Sequence, residues 1–335
     1  MNEPRAWVLN LDAESELEAP RNYAPTRHLA AIVARERERL IGTLVAPQDL
    51  LVTDEVVAAV RRAPGGPLAQ RLHGLAGYAW CPTPRALSML HAVGARPVAA
   101  PPLETLRMAN ARPFAALVRE PLQRASFDKR SVTALDEVLD ALASPAPRGW
   151  LVRRSYGAAG RGRRRIASGR PDAGELAWLV ASLRLGPLIV EPWVEIVREH
   201  TRSAWIDVAG TVLISQPCFQ QVNEHGAWTR TECAELGAVE REDDERLEEA
   251  VEAAGRALAA HGYRGPFGID AYRHRALDGS GRTVLNPLSE INARYTMDWA
   301  LAMGERAGFT VWSSDRPTAS AARRVPTHEP SAGRR

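Results

Sequence analysis

The order of apolar and polar positions predicts alternating strands and helices over the first part of the chain. The apolar run at 6–11 is typical of a short buried strand, and 28–40 has a helical period. Further strands are predicted at 50–53 and 98–100, with a helix over Ala86–Val93 between them. This alternation of strands and helices is typical of an α/β unit, which we expect over about the first 120 residues.

A second group of predicted elements surrounds a hairpin. After a Pro- and Gly-containing break at 144–149, the run at 150–152 predicts a strand, 157–162 a turn and 164–166 the returning strand. The other elements predicted here are a short helix that starts near Ser131 or Thr133 with 135–142 as its apolar side, a helix over 175–183 and a buried strand over 188–190.

The last third of the sequence predicts a sheet covered by one long helix. Two strands are expected within 203–215, and 241–261 is an alanine-rich helix with an acidic start that ends before Gly262. The turn at 278–281 joins two further strands, described next. Beyond Trp312 the chain is rich in Ser, Thr, Pro and Arg, so residues 313–335 are expected to form a disordered tail.

The strand predicted at 288–294 carries an unusual set of polar side chains. Because side chains alternate between the faces of a strand, Glu290, Asn292 and Arg294 are expected to share one face, near Asp270 on the preceding strand. Carboxylate and amide oxygens are hard ligands for Mg²⁺, and a guanidinium suits phosphate or carboxylate. The alternative is a solvated polar face.

Composition and charge narrow the class of protein. The 335 residues, 45% hydrophobic and 25% charged, are those of an ordinary globular protein with two or three subdomains. The formal charge of +3 is small, and no basic block dominates a face, so the charge argues neither for nor against a nucleic-acid partner. We expect no nucleic-acid partner, because only two arginine clusters favour one. Without an apolar leader or an 18-residue apolar run, we expect no membrane span and a cytoplasmic location.

The cysteines indicate neither a disulfide framework nor a zinc site. Cys81, Cys218 and Cys233 are an odd, scattered set that suits a reducing compartment. The spacing of Cys218, His225 and Cys233 matches no common zinc pattern, so these residues are interpreted as core or surface thiols.

Lysine usage singles out one residue before any motif is considered. Of the 43 basic residues, Lys129 is the only lysine. A chain that has drifted so far towards arginine keeps lysine where a compact ammonium group is needed, which makes Lys129 a candidate functional residue.

A glycine-rich turn is a candidate anion site. Gly157, Gly160 and Gly162 lie between two predicted strands, ahead of the arginine run 163–165. Successive backbone N–H groups in such a loop can face one anion. The turn has neither the Gly-Lys-Ser/Thr ending of a P-loop nor the setting of a dinucleotide-binding fingerprint. A plain flexible turn and a solvated arginine face are the alternatives.

The stretch from Val190 to Val194 has features of a nucleotide-base pocket. It combines an apolar strand, the acid Glu191 and a rigid Pro-Trp step, which together offer an apolar slot with backbone groups at its edge. Glu199 could accept hydrogen bonds from ribose hydroxyls. The alternatives are a strand end capped by a core tryptophan and a glutamate that faces water.

The order of these features, from the single lysine through the glycine-rich turn to the polar strand, resembles the ATP-grasp superfamily over about residues 120–305. The closing segment Glu290-Ile-Asn292-Ala-Arg294 is similar to the endings of the carboligase-like members of that superfamily. The resemblance implies an α/β (α+β ATP-grasp) fold in which a Rossmann-like pre-ATP-grasp domain precedes two α+β subdomains that clasp ATP. The implied units are 1–120, a small subdomain with the glycine-rich loop at 121–190, and a C-terminal subdomain with the metal site at 191–312.

The resemblance also implies a role for each candidate residue. Lys129 would reach the ATP phosphates, and so would Arg153, although the family normally has lysine at this position. Arg294 would act near the transferred phosphate or the acyl substrate. The other implied roles are the phosphate loop for Gly157, Gly160 and Gly162, the adenine hinge for Glu191 and Val194, the ribose contact for Glu199, and Mg²⁺ or Mn²⁺ binding for Asp270, Glu290 and Asn292.

The implied function is an ATP-dependent ligase that joins a small-molecule carboxylate to an amine or other nucleophile through an acyl phosphate. A kinase-like use of the same fold and a nucleotide-binding module without catalysis are the alternatives. Nucleic-acid binding, suggested by the arginine clusters near 161–165 and 323–335, is a further alternative. A homodimer is compatible with the resemblance.

Overall fold

The computed structural model describes residues 3–21, 23–122, 130–157, 161–167, 169–222, 228–234, 239–303 and 323–325. Within them the strands form three sheets of four, four and seven strands, in which parallel and antiparallel pairing both occur. The predicted mixed α/β architecture is thereby confirmed, while the exact limits of the three units remain predictions.

The first sheet is parallel, with the order β2-β1-β3-β4. Its central strand β1 is buried throughout, as expected for a parallel strand that is covered on both faces. The strands are β1 (Arg5–Val8), β2 (Leu50–Leu51), β3 (Ala76–Ala79) and β4 (Arg96–Pro97). The helices are α1 (Ala13–Glu18), α2 (Arg27–Glu38), α3 (Asp54–Arg62), α4 (Pro67–Leu72) and α5 (Pro84–Ala92).

One predicted strand of this unit is displaced. The strand expected at 98–100 is β4 at Arg96–Pro97 instead. Val98 still donates a backbone hydrogen bond to the Gly77 oxygen, at 2.9 Å, but Pro101 lacks the N–H group that a longer ladder would need.

Two helices and a short 3₁₀ turn link the first sheet to the rest of the chain. They are α6 (Leu103–Asn110), α7 (Arg112–Arg119) and the turn Glu120–Leu122. Helix α7 packs against a strand of the largest sheet, and Arg119 at its end donates towards the Asn286 side chain there. The linker therefore touches the sheet that carries the predicted metal residues.

The second sheet is antiparallel, with the order β5-β8-β6-β7, and its core includes Trp150, Val152 and Leu188. The predicted hairpin is present, since Arg153 of β6 lies opposite Arg163 of β7. The strands are β5 (Arg130–Val132), β6 (Trp150–Arg154), β7 (Arg163–Ile166) and β8 (Leu188–Pro192). Helices α8 (Leu135–Ala143) and α9 (Ala173–Leu183) accompany them.

The third sheet is built around β9, which pairs with β10, β11 and β13. One face is covered by helix α10, where an added Cβ at Gly255 would come within 2.6 Å of Val212. Glycine therefore permits the close helix–sheet approach. The elements are β9 (Ile196–Ile206), β10 (Val212–Ile214), β11 (Cys218–Val222), β12 (Trp228–Cys233), α10 (Arg241–Ala260), β13 (Gly265–Arg275), β14 (Thr283–Asn292) and α11 (Trp299–Met303).

Part of the region that was expected to be a disordered tail is ordered. Residues Arg323–Val325 form β15, which pairs antiparallel with β10. An edge strand offers unpaired backbone groups, and a passing segment can satisfy them whatever its composition. The other residues of 313–335 lie outside the described part. Among the described helices, none is long and apolar enough to cross a membrane.

A buried histidine lies between the third sheet and α10. His200 of β9 is fully buried, and neither ring nitrogen has a hydrogen-bond partner among the described residues. Burial lowers the pKa of His200 to about 4, and nearby Asp243 offsets only part of this effect. The ring is therefore neutral at physiological pH and serves as part of the core.

This burial predicts a pH-dependent stability. The unfolded chain takes up a proton near pH 6.5 and the folded chain only near pH 4, so protonation favours unfolding as the pH falls between these values. The free energy of unfolding should fall by about 3 kcal/mol across this interval on account of His200. Urea titrations should show that His200→Leu removes this component and that replacement of the exposed His28 by alanine does not. An unchanged pH dependence in His200→Leu would contradict the assignment.

Candidate functional site

The predicted metal residues meet on the face of the third sheet that points away from α10. Asp270 of β13 lies directly opposite Glu290 of β14, and Asn292 lies opposite Gly268. The Asn292 amide donates to Oδ2 of Asp270 at 3.0 Å. The strand pairing thus brings two carboxylates and one amide together.

The electrostatics of this group favour a bound cation. Burial raises the pKa of Asp270 to about 7, and the neighbouring Glu290 charge adds to the shift. The described residues contain no cluster of three or more His, Cys, Asp and Glu side chains that could hold a metal. Two facing carboxylates supplemented by the Asn292 oxygen nevertheless form a donor set that suits Mg²⁺.

Arg112, at the start of α7, is a site residue that the sequence reasoning missed. Its guanidinium donates to Glu290 Oε1 and Oε2, at 3.1 and 3.3 Å. It also donates to the backbone oxygens of Arg154, at 2.9 Å, and Gly157, at 2.6 Å. One buried arginine therefore joins the linker helix, the glycine-rich turn and the predicted metal residues.

Arg153 points into the same region from β6. One Nη lies 2.6 Å from Oε1 of Glu191, and the other lies 3.9 Å from Oε2 of Glu290. Arg153 and Glu191 are both buried, so this ion pair is shielded from solvent. The predicted phosphate contact and the predicted hinge acid are thus bound to each other.

The glycine-rich turn requires glycine for steric reasons. Gly157 has a φ of 154°, and an added Cβ would lie 2.5 Å from the Arg161 oxygen. At Gly162, with φ 70°, an added Cβ would lie 2.9 Å from the Tyr156 oxygen. Gly160 lies outside the described residues, as does Lys129.

The predicted nucleotide hinge lies between the second and third sheets. Val194 is buried in the segment that joins β8 to β9. Trp193 is half-buried, and the Arg165 guanidinium lies 5.2 Å from its ring centre. Burial raises the pKa of Glu199, and the charge of Arg163 opposes this shift. Glu199 therefore faces an arginine of the β6–β7 hairpin.

Arg294 departs from the prediction that it shares a strand with Glu290. Strand β14 ends at Asn292, because the Ala293 N–H donates to the Asn110 side chain, at 2.9 Å, instead of continuing the ladder. The Arg294 guanidinium donates to Glu14 of α1, at 2.8 Å from Nε, and to Asn292 Oδ1, at 2.9 Å. It is therefore adjacent to the metal residues but anchored to the first unit.

The chain shares its fold with two carboxylases of known structure. It is similar to biotin carboxylase from Campylobacter jejuni, with 13% identity and a TM-score of 0.53 over 90% of this chain and 68% of that chain. A pyruvate carboxylase from Rhizobium etli matches with 14% identity and a TM-score of 0.51 over 90% of this chain and 27% of that chain. N5-carboxyaminoimidazole ribonucleotide synthetase from Thermus thermophilus matches with 17% identity and a TM-score of 0.47 over 87% of this chain and 71% of that chain. No family model and no curated protein matches the sequence.

The contacts of Arg112 predict a large stability cost for its removal. Arg112→Ala leaves the Glu290 carboxylate and two carbonyl oxygens without their donor, and should lower the free energy of unfolding by about 2–4 kcal/mol. The matched control is Arg282→Ala, which removes a pair with Asp278 whose arginine side chain is 72% exposed. It should cost less than about 1 kcal/mol. Equal effects in urea denaturation would contradict the structural role of Arg112.

Proposed function

We propose that the protein is an ATP- and Mg²⁺-dependent ligase that joins a small-molecule carboxylate to an amine or other nucleophile. The substrate carboxylate would attack the γ-phosphate of ATP to give an acyl phosphate and ADP. The nucleophile would then displace phosphate from the acyl group. No protein nucleophile is needed, because phosphoryl transfer depends mainly on positioning and on neutralising charge.

The observation that carries the proposal is the convergence of opposite charges at one place. Asp270 and Glu290 face each other across two strands, and Arg112 and Arg153 approach the same Glu290 from two other elements. ATP brings about four negative charges, so its site needs both a divalent cation held by oxygen ligands and positive side chains. Asp270 and Glu290 supply the oxygen ligands for such a cation, and Arg112 and Arg153 supply the positive side chains.

Each candidate residue would have a separate role in binding ATP, the metal ion or the acyl substrate. Arg112 and Arg153 would exchange a carboxylate partner for phosphate oxygens, while Gly157 and Gly162 allow the turn to lie close to the phosphates. Mg²⁺, or Mn²⁺ in its place, would neutralise phosphate charge. Its proposed ligands are Asp270, Glu290 and Asn292. The other proposed contacts are Lys129 at the phosphates, Val194 at adenine, Glu199 at ribose and Arg294 near the acyl substrate.

The similarity to biotin carboxylase supports the nucleotide part of the proposal. That protein was crystallised in a complex with β-γ-ATP. Because its identity to this chain is 13%, the likeness extends to the fold, and the reaction rests on the site residues themselves.

A second candidate function is a nucleotide-binding module without catalysis. The 2.6 Å contact between Arg153 and Glu191 favours it, because this ion pair occupies two residues that the ligase would use. Arginine, unlike lysine, binds a carboxylate through a planar fork and is released less readily. Tight Mg²⁺-ATP binding without ADP production would establish this alternative.

The test of the ligase proposal is a screen of amino acids and small amines for ATP-dependent phosphate release. Added hydroxylamine should trap the acyl phosphate as a hydroxamate when the correct carboxylate is present. ADP that accumulates with a hydroxyl compound, and without any hydroxamate, would indicate a kinase instead. Failure of every carboxylate in a protein that binds ATP would favour the non-catalytic module.

The metal residues predict loss of turnover without loss of fold. Glu290→Ala and Asn292→Ala should each reduce ADP release by at least about 100-fold, because the proposed Mg²⁺ would lose an oxygen ligand. The matched control is Asp278→Ala, at the opposite end of the same β13–β14 hairpin, which should keep full activity. Circular dichroism spectra should be the same for all of these proteins. Unchanged turnover in both site variants would refute the metal assignment.

The single lysine predicts an effect on ATP affinity. Lys129→Ala should raise the KM for ATP about tenfold or more, since one phosphate contact from a cation would be lost. Lys129→Arg should recover part of this loss, because it keeps the charge in a different shape. Steady-state kinetics at varied ATP would decide the question, and an unaltered KM in Lys129→Ala would exclude a phosphate role.

A further inference from the structure

A straight row of side chains runs from the predicted metal residues to a pair of thiols. Directly opposed residues on neighbouring strands point to the same face, and the register gives one row across five strands. We call it the site row, and its members are Glu290, Asp270, Thr201, Cys218 and Cys233. The thiols therefore lie on the face that carries the candidate site.

The two thiols are already close enough to suggest a covalent link. Their sulfur atoms are 3.5 Å apart. The Ala234 N–H donates to the Pro217 oxygen, at 3.1 Å, which makes Cys218 and Cys233 a non-hydrogen-bonded antiparallel pair. The Cα atoms of such a pair are about 4.5 Å apart, within the range of about 4.4–6.8 Å that a disulfide spans.

The environments of the two thiols differ in a way that defines an order of reaction. Cys218 is fully buried, and burial raises the pKa of its thiol. Cys233 is partly exposed on β12, where its thiol lies 3.5 Å from the Leu301 oxygen. A solution reagent therefore reaches Cys233 first, and Cys218 is placed to react second.

We propose that Cys218 and Cys233 form a reversible intramolecular disulfide when the protein meets a low-molecular-weight disulfide. The Cys233 thiolate attacks one sulfur of the reagent and releases one reagent thiol. Cys218 then loses its proton and attacks the Cys233 sulfur of the mixed disulfide, which releases the second reagent thiol. Overall, two protein thiols are oxidised and one reagent disulfide is reduced to two thiols.

The bond would fix the β11–β12 hairpin beside the candidate metal residues. Gln220, two residues beyond Cys218 on the same face, donates to Oδ1 of Asp270 at 3.3 Å. A hairpin locked in this position would keep Gln220 on an oxygen that the proposed Mg²⁺ needs. Oxidation should therefore weaken Mg²⁺-nucleotide binding, a consequence that depends on the proposed function, whereas the disulfide itself does not.

The first test is intact-mass analysis of the full-length protein after incubation with oxidised glutathione. The wild-type protein should lose about 2 Da, should show a Cys218–Cys233 peptide on mapping, and should return to its starting mass with dithiothreitol. Cys81→Ser should behave in the same way, because Cys81 is buried elsewhere in the first unit. Retention of all thiols, a disulfide that includes Cys81, or a persistent glutathione adduct on the wild-type protein would overturn the proposal.

Two variants test the order of reaction. Cys218→Ser should stop at the mixed disulfide and retain one glutathione on Cys233, because no second thiol can displace it. Cys233→Ser should gain none, because Cys218 is buried. An unmodified Cys218→Ser would show that Cys233 is not the attacking thiol and would refute the mechanism.

The second test measures the consequence at the candidate site. Calorimetric titration with ADP in the presence of Mg²⁺ should give an affinity about threefold or more lower for oxidised than for reduced wild-type protein. Cys233→Ser, treated identically, should show no change. An equal affinity in both wild-type forms would refute the link between thiols and site. Absence of ADP binding to the reduced protein would count against the proposed function and leave the disulfide result intact.

Discussion

The repulsion between Asp270 and Glu290 is the constraint on which the rest of the site depends. Their directly opposed positions on adjacent strands place their β-carbons about 5 Å apart, and two like charges at about that separation repel by about 3 kcal/mol at an effective dielectric constant of about 20. The protein offsets this cost with Arg112 from the linker helix and Arg153 from the second sheet. Because the compensating charges come from different parts of the chain, the carboxylate pair also holds those parts together.

The use of arginine shapes the contacts of the candidate site. An ammonium group is a point charge that releases one partner for another easily, whereas a guanidinium engages several acceptors at fixed angles. Arg112 contacts one carboxylate and two carbonyl oxygens, and Arg153 pairs with Glu191 in a buried setting. Under the proposed function, a ligand with phosphate oxygens would have to replace whole sets of hydrogen bonds, so nucleotide binding would involve an exchange of partners at these two arginines.

The sequence predicted the part of this site that depends on the alternation of side chains along a strand and on the turn between two strands. The alternation at Glu290 and Asn292 placed both on one face, and the turn at 278–281 placed Asp270 beside them, as the register confirms. The part played by Arg112 could not be predicted, because its partner Glu290 is 178 positions away and no spacing rule spans that distance. An arginine directly before a proline at a predicted helix start was the one signal available in the sequence. The position of Arg294 beyond the end of β14 could not be predicted for the same reason, since its partner Glu14 is 280 positions away.

The sheet register extends the influence of the carboxylate pair beyond its immediate partners. Directly opposed residues on neighbouring strands share one face of the sheet and lie within contact distance of each other. The site row places Thr201 between Asp270 and Cys218, and Gln220 supplies a direct contact from the thiol-bearing strand to Asp270. Arg294 and Glu14 act similarly on the other side by fixing α1 of the first unit against Asn292. Single side chains therefore connect the two facing carboxylates and Asn292 to the linker, the first unit and the thiol-bearing hairpin.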